Sequence, residues 1–360
     1  MSELDRQEPA ATAADAPPLE VTVIIPARNE EASLGECLRS LVDQSEDGFA
    51  LGGEWELIVV DDDSTDQTRM VADGFPGVTV MQAPALEPGD RSGLTGKTNA
   101  CWAAAQQARG KLLLFTDADT VHEPGSLSRA RRELEKYDVA LLSYSPRQIV
   151  SGVAQRLLMP LVFAELAKAY PMAKVNDPAN RMAAANGQFL MVREDAYFAV
   201  GGHRGVGPYV LEDVALARNI KRGKRSIRFR YAPDAVAARM YRSTAAMLEG
   251  WTKNLALLFG NTPVMAAIAT LVFLLFISLP ALAVFFPFVY TYQRTLVWLV
   301  WARGVYGFYT RTRRSNFSVG DCLLAVFGLP LFVFLLLRSY VNVKIRGAVD
   351  WKGRSYSTKV

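Results

Sequence analysis

The residues of this 360-residue chain that are able to do chemistry fall into four groups. Asp117-Ala118-Asp119 sets two carboxylates two residues apart, directly after the apolar run Leu112–Phe115. Carboxylates so placed are hard oxygen ligands, suited to Mg2+ or Mn2+ and able to share the ion with substrate phosphates. An isolated pair of this kind is more often a solvated turn, but a second acidic group, Asp61-Asp62-Asp63-Ser64-Thr65-Asp66, gives the ligand reading weight. Ser64 or Asp63 alone would serve as a helix cap. Three adjacent acids exceed that need, and a cation or the donors of a nucleotide base or ribose would relieve their repulsion. In the third group, Gly93-Leu-Thr-Gly96-Lys97-Thr98 precedes a helical stretch, so that Lys97 and backbone N–H groups either face a diphosphate or sit in a solvated loop. The spacing of an ATPase phosphate loop fails at Arg91, where glycine is required. Glu212-Asp213 completes the set, either as an acidic pair favoured by a helix dipole or as the source of a base that takes a proton from an acceptor hydroxyl.

The remaining candidates are weaker. His203, in Gly201-Gly-His203-Arg204, reads as a turn histidine or as a further metal ligand or diphosphate donor, and His122 as a loop residue. Cys37, Cys101 and Cys322 are widely spaced and odd in number, which excludes a disulfide framework and a CxxC metal site, and Cys37 and Cys101 read as packing residues.

These groups need elements to hold them. Val21–Ile25, Trp55–Val60, Val78–Met81 and Lys111–Thr116 read as strands, alternating with helices over Glu30–Gln44, Asp66–Ala72, Lys97–Ala108 and Gly125–Lys136. Such alternation predicts an α/β domain with a mostly parallel sheet covered on both faces, and ligands of such sheets bind beyond the carboxyl ends of the strands. Pro26–Glu30, Asp61–Asp63 and Asp117–Asp119 all fall there.

The formal charge of +4 conceals a split: residues 254–360 carry 11 Lys/Arg against Asp321 and Asp350, leaving the preceding two-thirds net acidic. That distribution excludes a basic nucleic-acid-binding protein. No charged residue occurs over the 40 positions from Asn254 to Gln293, enough to cross a bilayer. Apolar stretches at 264–290, 295–309 and 322–337, with basic clusters at Arg311–Arg314 and Lys344–Arg354, predict an outgoing and a returning span. A segment broken at Gly328-Leu-Pro330 then dips in and returns, which keeps both clusters cytoplasmic. Residues 151–170 are apolar on more than one face yet charged at Arg156, Glu165 and Lys168, which fits a membrane-interface helix, slightly favoured, or a core helix. The expected organisation is a disordered leader over 1–18, a catalytic domain over 19–255, a membrane region over 256–343 and a basic cytoplasmic tail over 344–360.

In order along the chain, Val21-Thr-Val-Ile-Ile-Pro-Ala-Arg-Asn-Glu30, Val59-Val-Asp-Asp-Asp-Ser-Thr-Asp66, Phe115-Thr-Asp-Ala-Asp-Thr120, Asn186-Gly-Gln-Phe-Leu190 and Leu211-Glu-Asp213 resemble inverting glycosyltransferases of the family-2 type, over roughly residues 20–255. The resemblance implies a Rossmann-like GT-A fold, a nucleotide-diphosphate sugar donor and Mg2+ or Mn2+. By that likeness Pro26, Arg28 and Glu30 lie beside the nucleoside and Asp62 contacts the base. Asp117 and Asp119 hold metal and diphosphate, Asp119 more directly, while Asp213 is the catalytic base with Glu212 its neighbour. The tail, through Arg239-Met-Tyr241, Gly250-Trp-Thr-Lys-Asn254 and Trp351-Lys-Gly-Arg-Ser-Tyr356, is similar to membrane-bound transferases that glycosylate carotenoids, hopanoids or related lipids. Polysaccharide synthases carry Q/RxxRW where this chain has Leu248-Glu-Gly-Trp251, and the missing Arg speaks against processive polymerisation. Trp251 then has an acceptor-side role or is an interfacial anchor, and Arg354 reaches the active site or holds anionic headgroups. The implied activity is a single inverting transfer to a carotenoid-, hopanoid- or ceramide-like lipid at the inner membrane. A processive synthase and a non-catalytic nucleotide-binding scaffold stand as alternatives.

Overall fold

A computed structural model describes residues 19–44, 46, 48–86, 94–351 and 354–357, with side chains to residue 348. The expected leader over 1–18 and the Gly93 end of the glycine-containing loop lie outside the described residues.

The first half of the chain alternates as its apolar runs predict. In order come β1 (Leu19–Ala27), α1 (Leu34–Val42), β2 (Trp55–Asp61), α2 (Thr68–Asp73), β3 (Val78–Gln82), α3 (Gly96–Ala105), β4 (Gly110–Phe115), β5 (Thr120–His122) and α4 (Ser126–Lys136). Beyond these lie β6 (Leu141–Ser145), β7 (Arg147–Gln148), α5 (Gly152–Ala169), α6 (Met172–Val175), β8 (Leu190–Arg193), α7 (Glu194–Ala199), α8 (Glu212–Arg222), β9 (Ile227–Tyr231) and β10 (Val236–Ala238). Seven strands form one sheet in the order β3-β2-β1-β4-β8-β6-β9. Pairing is parallel from β3 through β4 and between β6 and β9, while β8 runs antiparallel to both neighbours. A smaller sheet, β5-β10-β7, lies beside it.

Both faces of the large sheet are buried, which is why its strands read as continuous apolar runs rather than alternating ones. Along β1, Val21, Val23 and Ile25 enter a core with Leu34, Leu38 and Leu41 of α1 and Leu127 and Leu134 of α4. Ile24 enters the opposite core with Ala100 and Cys101 of α3, Tyr197 of α7 and Leu216 and Ile220 of α8. The predicted parallel α/β domain is therefore present.

Residues past Ala238 form the helical part: α9 (Thr244–Leu258), α10 (Thr262–Phe285), α11 (Thr291–Thr312), α12 (Val319–Leu324) and α13 (Leu329–Tyr340), then a hairpin of β11 (Ala348–Trp351) and β12 (Arg354–Ser357). Thr262–Phe285 and the helical run Val319–Arg346 are long and apolar enough to cross a membrane. The second differs from the sequence-based expectation of a break at Gly328-Leu-Pro330: a 3-10 turn over Ala325–Gly328 leads from α12 into α13, whose first turn holds Pro330, where a missing N–H costs nothing, so the chain stays helical there. The residue 151–170 segment also takes the core alternative: Leu158, Met159, Val162 and Phe163 of α5 join Met247, Trp251 and Leu255 of α9 and Phe332, Leu335 and Leu336 of α13 in a third core. Arg156 Nε on buried Asp321 (2.6 Å) and Arg311 on Glu165 (3.6 Å) tie α5 to the tail. The expected domain boundary at 255 falls inside α9, which both parts share.

Candidate active site

A cleft of about 460 Å³ opens at the carboxyl ends of β1, β2 and β4, within the size range of small-molecule sites. Pro26, Arg28, Glu30, Asp62, Lys97, Asp117, Asp119, Glu212 and Asp213 all line it. Nine positions proposed from sequence are thus gathered from five separate segments.

On one side of the cleft, the loop after β1 is laced to the acidic turn after β2. Arg28 Nη1 donates to the Asp62 carbonyl (3.0 Å) and lies 3.7 Å from its carboxylate. Asn29 and Asp63 adopt left-handed backbone conformations (φ 52° and 58°), which short polar side chains tolerate. The Asn29 amide oxygen accepts from the Thr65 N–H (2.8 Å), and Asp61 accepts from the Ser64 N–H (3.1 Å). Part of the acidic cluster therefore builds the turn itself, leaving Asp62 to face the cleft.

Lys97 lies in the first turn of α3, started by a reciprocal cap between Thr95 and Thr98. Its Nζ stands 2.8 Å from Asp117 Oδ1 and 3.0 Å from Glu212 Oε1, joining the metal-type and base-type carboxylates through one ammonium. Burial opposes its charge, but Asp117 and Glu212 hold Lys97 well above the usual lysine range. Burial likewise works against ionised Glu212, and Lys97 brings it below the usual carboxylate range.

Asp213 is pushed up to about 6, first by burial and then by the neighbouring Glu212 carboxylate. It accepts from the Val214 N–H at Oδ1 (2.7 Å) and from the Gly187 N–H at Oδ2 (2.9 Å). A Cβ on residue 187 would stand 3.0 Å from Lys97 Nζ, so this close approach favours glycine. A carboxylate titrating near neutrality inside a cleft is matched to general-base work.

The acceptor side differs from expectation. Trp251 is 2% exposed and does not line the cleft. Its Nε1 donates to Met159 Sδ (3.3 Å) and its ring meets Tyr241 at 6.0 Å, so Trp251 backs the wall while Tyr241 faces the cavity. Arg239, Lys253 and Asn254 also line the cleft and were missed as site residues. Their signal was present in the segments Arg239–Tyr241 and Gly250–Asn254, but nothing in the spacing says which way a helix face turns. The backbone of β11 packs beside α9, and the Arg354 side chain lies outside the described residues.

Both histidines are buried. Burial lowers His203 to about 4, and its Nδ1 bonds the Tyr197 hydroxyl (2.9 Å), which makes it a packing residue. His122 is not in a loop: it sits in β5 beneath the Asp117 turn, and burial lowers it to about 3. Cys37, Cys101 and Cys322 are free and buried.

The mostly parallel α/β sheet, with two acidic turns and the Glu212-Asp213 pair gathered on one cleft beyond its strand ends, is a Rossmann-like GT-A fold. Residues 22–197 match glycosyl transferase family 2, and the protein carries that domain and is a glycosyltransferase. Over 350 residues it is 28% identical to 4,4'-diaponeurosporenoate glycosyltransferase of Staphylococcus aureus, covering 94% of this chain and 88% of that one. A structure of the mannosyltransferase PcManGT from Pyrobaculum calidifontis, in complex with GDP-Man and Mn2+, matches with TM-score 0.50 and 18% identity over 91% of this chain and 89% of that chain.

Proposed function

We propose that this nucleotide-sugar glycosyltransferase moves one sugar, with inversion, to a lipid acceptor at the inner membrane, assisted by Mg2+ or Mn2+. The observation that carries the reading is the meeting of Asp117, Asp119, Glu212 and Asp213 on one cleft whose far wall is α9, the helix leading into apolar α10. The S. aureus relative, matched over most of both chains, is named for transfer to 4,4'-diaponeurosporenoate, which supports an apolar acceptor.

In this reading Pro26, Arg28, Glu30 and Asp62 bind the nucleoside, and Lys97 and Asp117 position the diphosphate. Asp117 and Asp119 offer oxygen donors only, and among the described residues no cluster of three or more His, Cys, Asp or Glu forms a closed metal site. Two carboxylates with open positions are what an ion shared with phosphates requires, so the residues fit Mg2+ or Mn2+. When bound, such an ion neutralises charge developing on the departing diphosphate. Asp213 accepts the proton of the attacking hydroxyl, or orients an acceptor carboxylate, on the face opposite the leaving group, and inversion follows from that in-line geometry. Buried Trp251 stiffens the acceptor wall behind Tyr241, and the backbone of β11 packs beside α9, the helix that lines the cleft.

The test is transfer by membranes given labelled nucleotide sugars, with extracted lipids analysed by mass spectrometry. Asp213→Asn and Asp119→Ala are each expected to reduce transfer by a factor of about 10² or more at unchanged protein level. Near-normal turnover in either would overturn the assignment, and products of many sugars would favour a polysaccharide synthase.

A further inference from the structure

Beneath the cleft, the His122 ring faces two hydroxyls at once. Its Nε2 lies 3.1 Å from Thr116 Oγ1 and 3.2 Å from Thr120 Oγ1. Each hydroxyl has one proton to give. Thr116 Oγ1 donates to the Gln188 carbonyl (2.8 Å), and Thr120 Oγ1 donates to the Asp117 carbonyl (2.8 Å). Carbonyl oxygens only accept, so with each hydroxyl proton turned to its carbonyl Nε2 serves as the donor toward the pair, whose two oxygens stand 3.0 Å apart. The other ring nitrogen agrees: Nδ1 is buried with no hydrogen-bond partner among the described residues. A buried unpaired N–H at Nδ1 would be costly, whereas a bare ring nitrogen is far less so. The ring is therefore neutral and protonated at Nε2.

The two carbonyls it reaches belong to different halves of the site. Asp117 opens the metal-type turn. Gln188 follows Gly187, whose N–H holds Asp213 Oδ2 (2.9 Å). The strands carrying them, β4 and β8, pair antiparallel, with Phe115 opposite Leu190, so this is also where the sheet stops holding the two loops together.

We infer that His122 is a positioning residue for glycosyl transfer, a neutral N–H donor that locks the Asp117 turn and the Gly187-Gln188 loop into one register through Thr120 and Thr116. The inference rests on the roles proposed above for Asp117 and Asp213. Such a lock acts on chemistry rather than on donor capture alone, because an ångström of misplacement between reacting groups costs up to about 10²-fold in rate.

The chain has two histidines, which makes the tautomer directly readable. The full-length protein, labelled with ¹⁵N-histidine and solubilised in detergent, should show the resonance absent from His122→Gln with Nε2 protonated and Nδ1 bare, from pH 6 to pH 8. A Nδ1-protonated ring overturns the inference whatever the enzyme's activity proves to be, so this outcome is separable from failure of the proposed function. In donor-hydrolysis or transfer assays, His122→Leu should lose kcat by about 10- to 100-fold with donor KM changed much less. Glutamine places an N–H three bonds beyond Cβ, as Nε2 is, and His122→Gln should recover kcat to within about 3-fold of the parent. Asparagine is one bond short and should not recover it. If folded His122→Leu keeps kcat and KM, or if His122→Gln is no better than His122→Leu at equal thermal stability, the lock is refuted. If His122→Leu does not fold, Thr116→Val and Thr120→Val test the two arms singly: each should lower kcat, and unchanged kcat in both would refute it equally.

Discussion

Lys97 is the point at which the site's opposing charges meet. Paired with Asp117 and Glu212, it keeps two partly buried acids from repelling each other and holds a positive charge where a diphosphate is expected. Removing that charge from Lys97→Met should raise donor KM by about 10-fold or more, the scale of a lost charge-assisted hydrogen bond. The same change has a pH signature. The parent's kcat should rise as Asp213 loses its proton near pH 6 and level off above it, because only the ionised carboxylate accepts a proton. Lys97 favours ionised Asp213, so Lys97→Met should move that rise to higher pH; a limb that stays at about 6 would contradict the coupling. A lysine at a helix start was legible in the sequence, since Gly96, Lys97 and the capping threonines are local. Its bridge between Asp117 and Glu212 was not, because the partners lie on other elements and only the closed sheet brings them within reach. His122 was hidden for a similar reason: a histidine three residues past an acidic turn looks solvated until β10 pairs with β5 and covers it.

At the scale of elements, the acceptor wall depends on how closely α9 approaches Tyr241. A Cβ on residue 250 would collide with the Tyr241 hydroxyl and stand 2.5 Å from its ring, and Trp251 closes the ring's other contact. Gly250→Ala should destabilise the folded protein by about 1–3 kcal/mol, as overpacking does, and lower its melting temperature in detergent. An unchanged melting temperature would mean that the wall yields more freely than this packing implies. β1, β2 and β4 were readable because both sheet faces are buried there and apolar residues fill most of each strand, and β3 because Val78, Val80 and Met81 crowd a short run at the edge. Antiparallel β8 and the small β5-β10-β7 sheet were not, since strands of two to four residues carry too little pattern to separate from loops. For α5 the sequence left two answers open: a helix apolar on several faces looks the same at a bilayer surface and in a protein core. What decided it was the packing of α9 and α13 on its two sides, together with Asp321, which gives Arg156 a buried partner.

For the whole molecule, the acidic two-thirds and the basic tail are joined by shared helices and shared packing. Ala266 and Ala269 of α10 are buried in the third core, while Ile268, Leu271, Leu274 and Leu275 of the same helix stand exposed. A helix with that much exposed apolar surface suits lipid better than water. The protein should therefore sediment with membranes, resist alkaline carbonate washing and require detergent for release; recovery in the carbonate supernatant would overturn the membrane reading. The order of elements also has a consequence for how the chain is made. The last strand of the large sheet, β9, ends at Tyr231, and the first strongly apolar helix, α10, begins only at Thr262. Synthesis runs from the amino terminus, and domains tend to fold as units while it proceeds. Every strand of the large sheet has thus left the ribosome's active centre before α10 is made, and the sheet is able to close while the chain is still tethered to the ribosome.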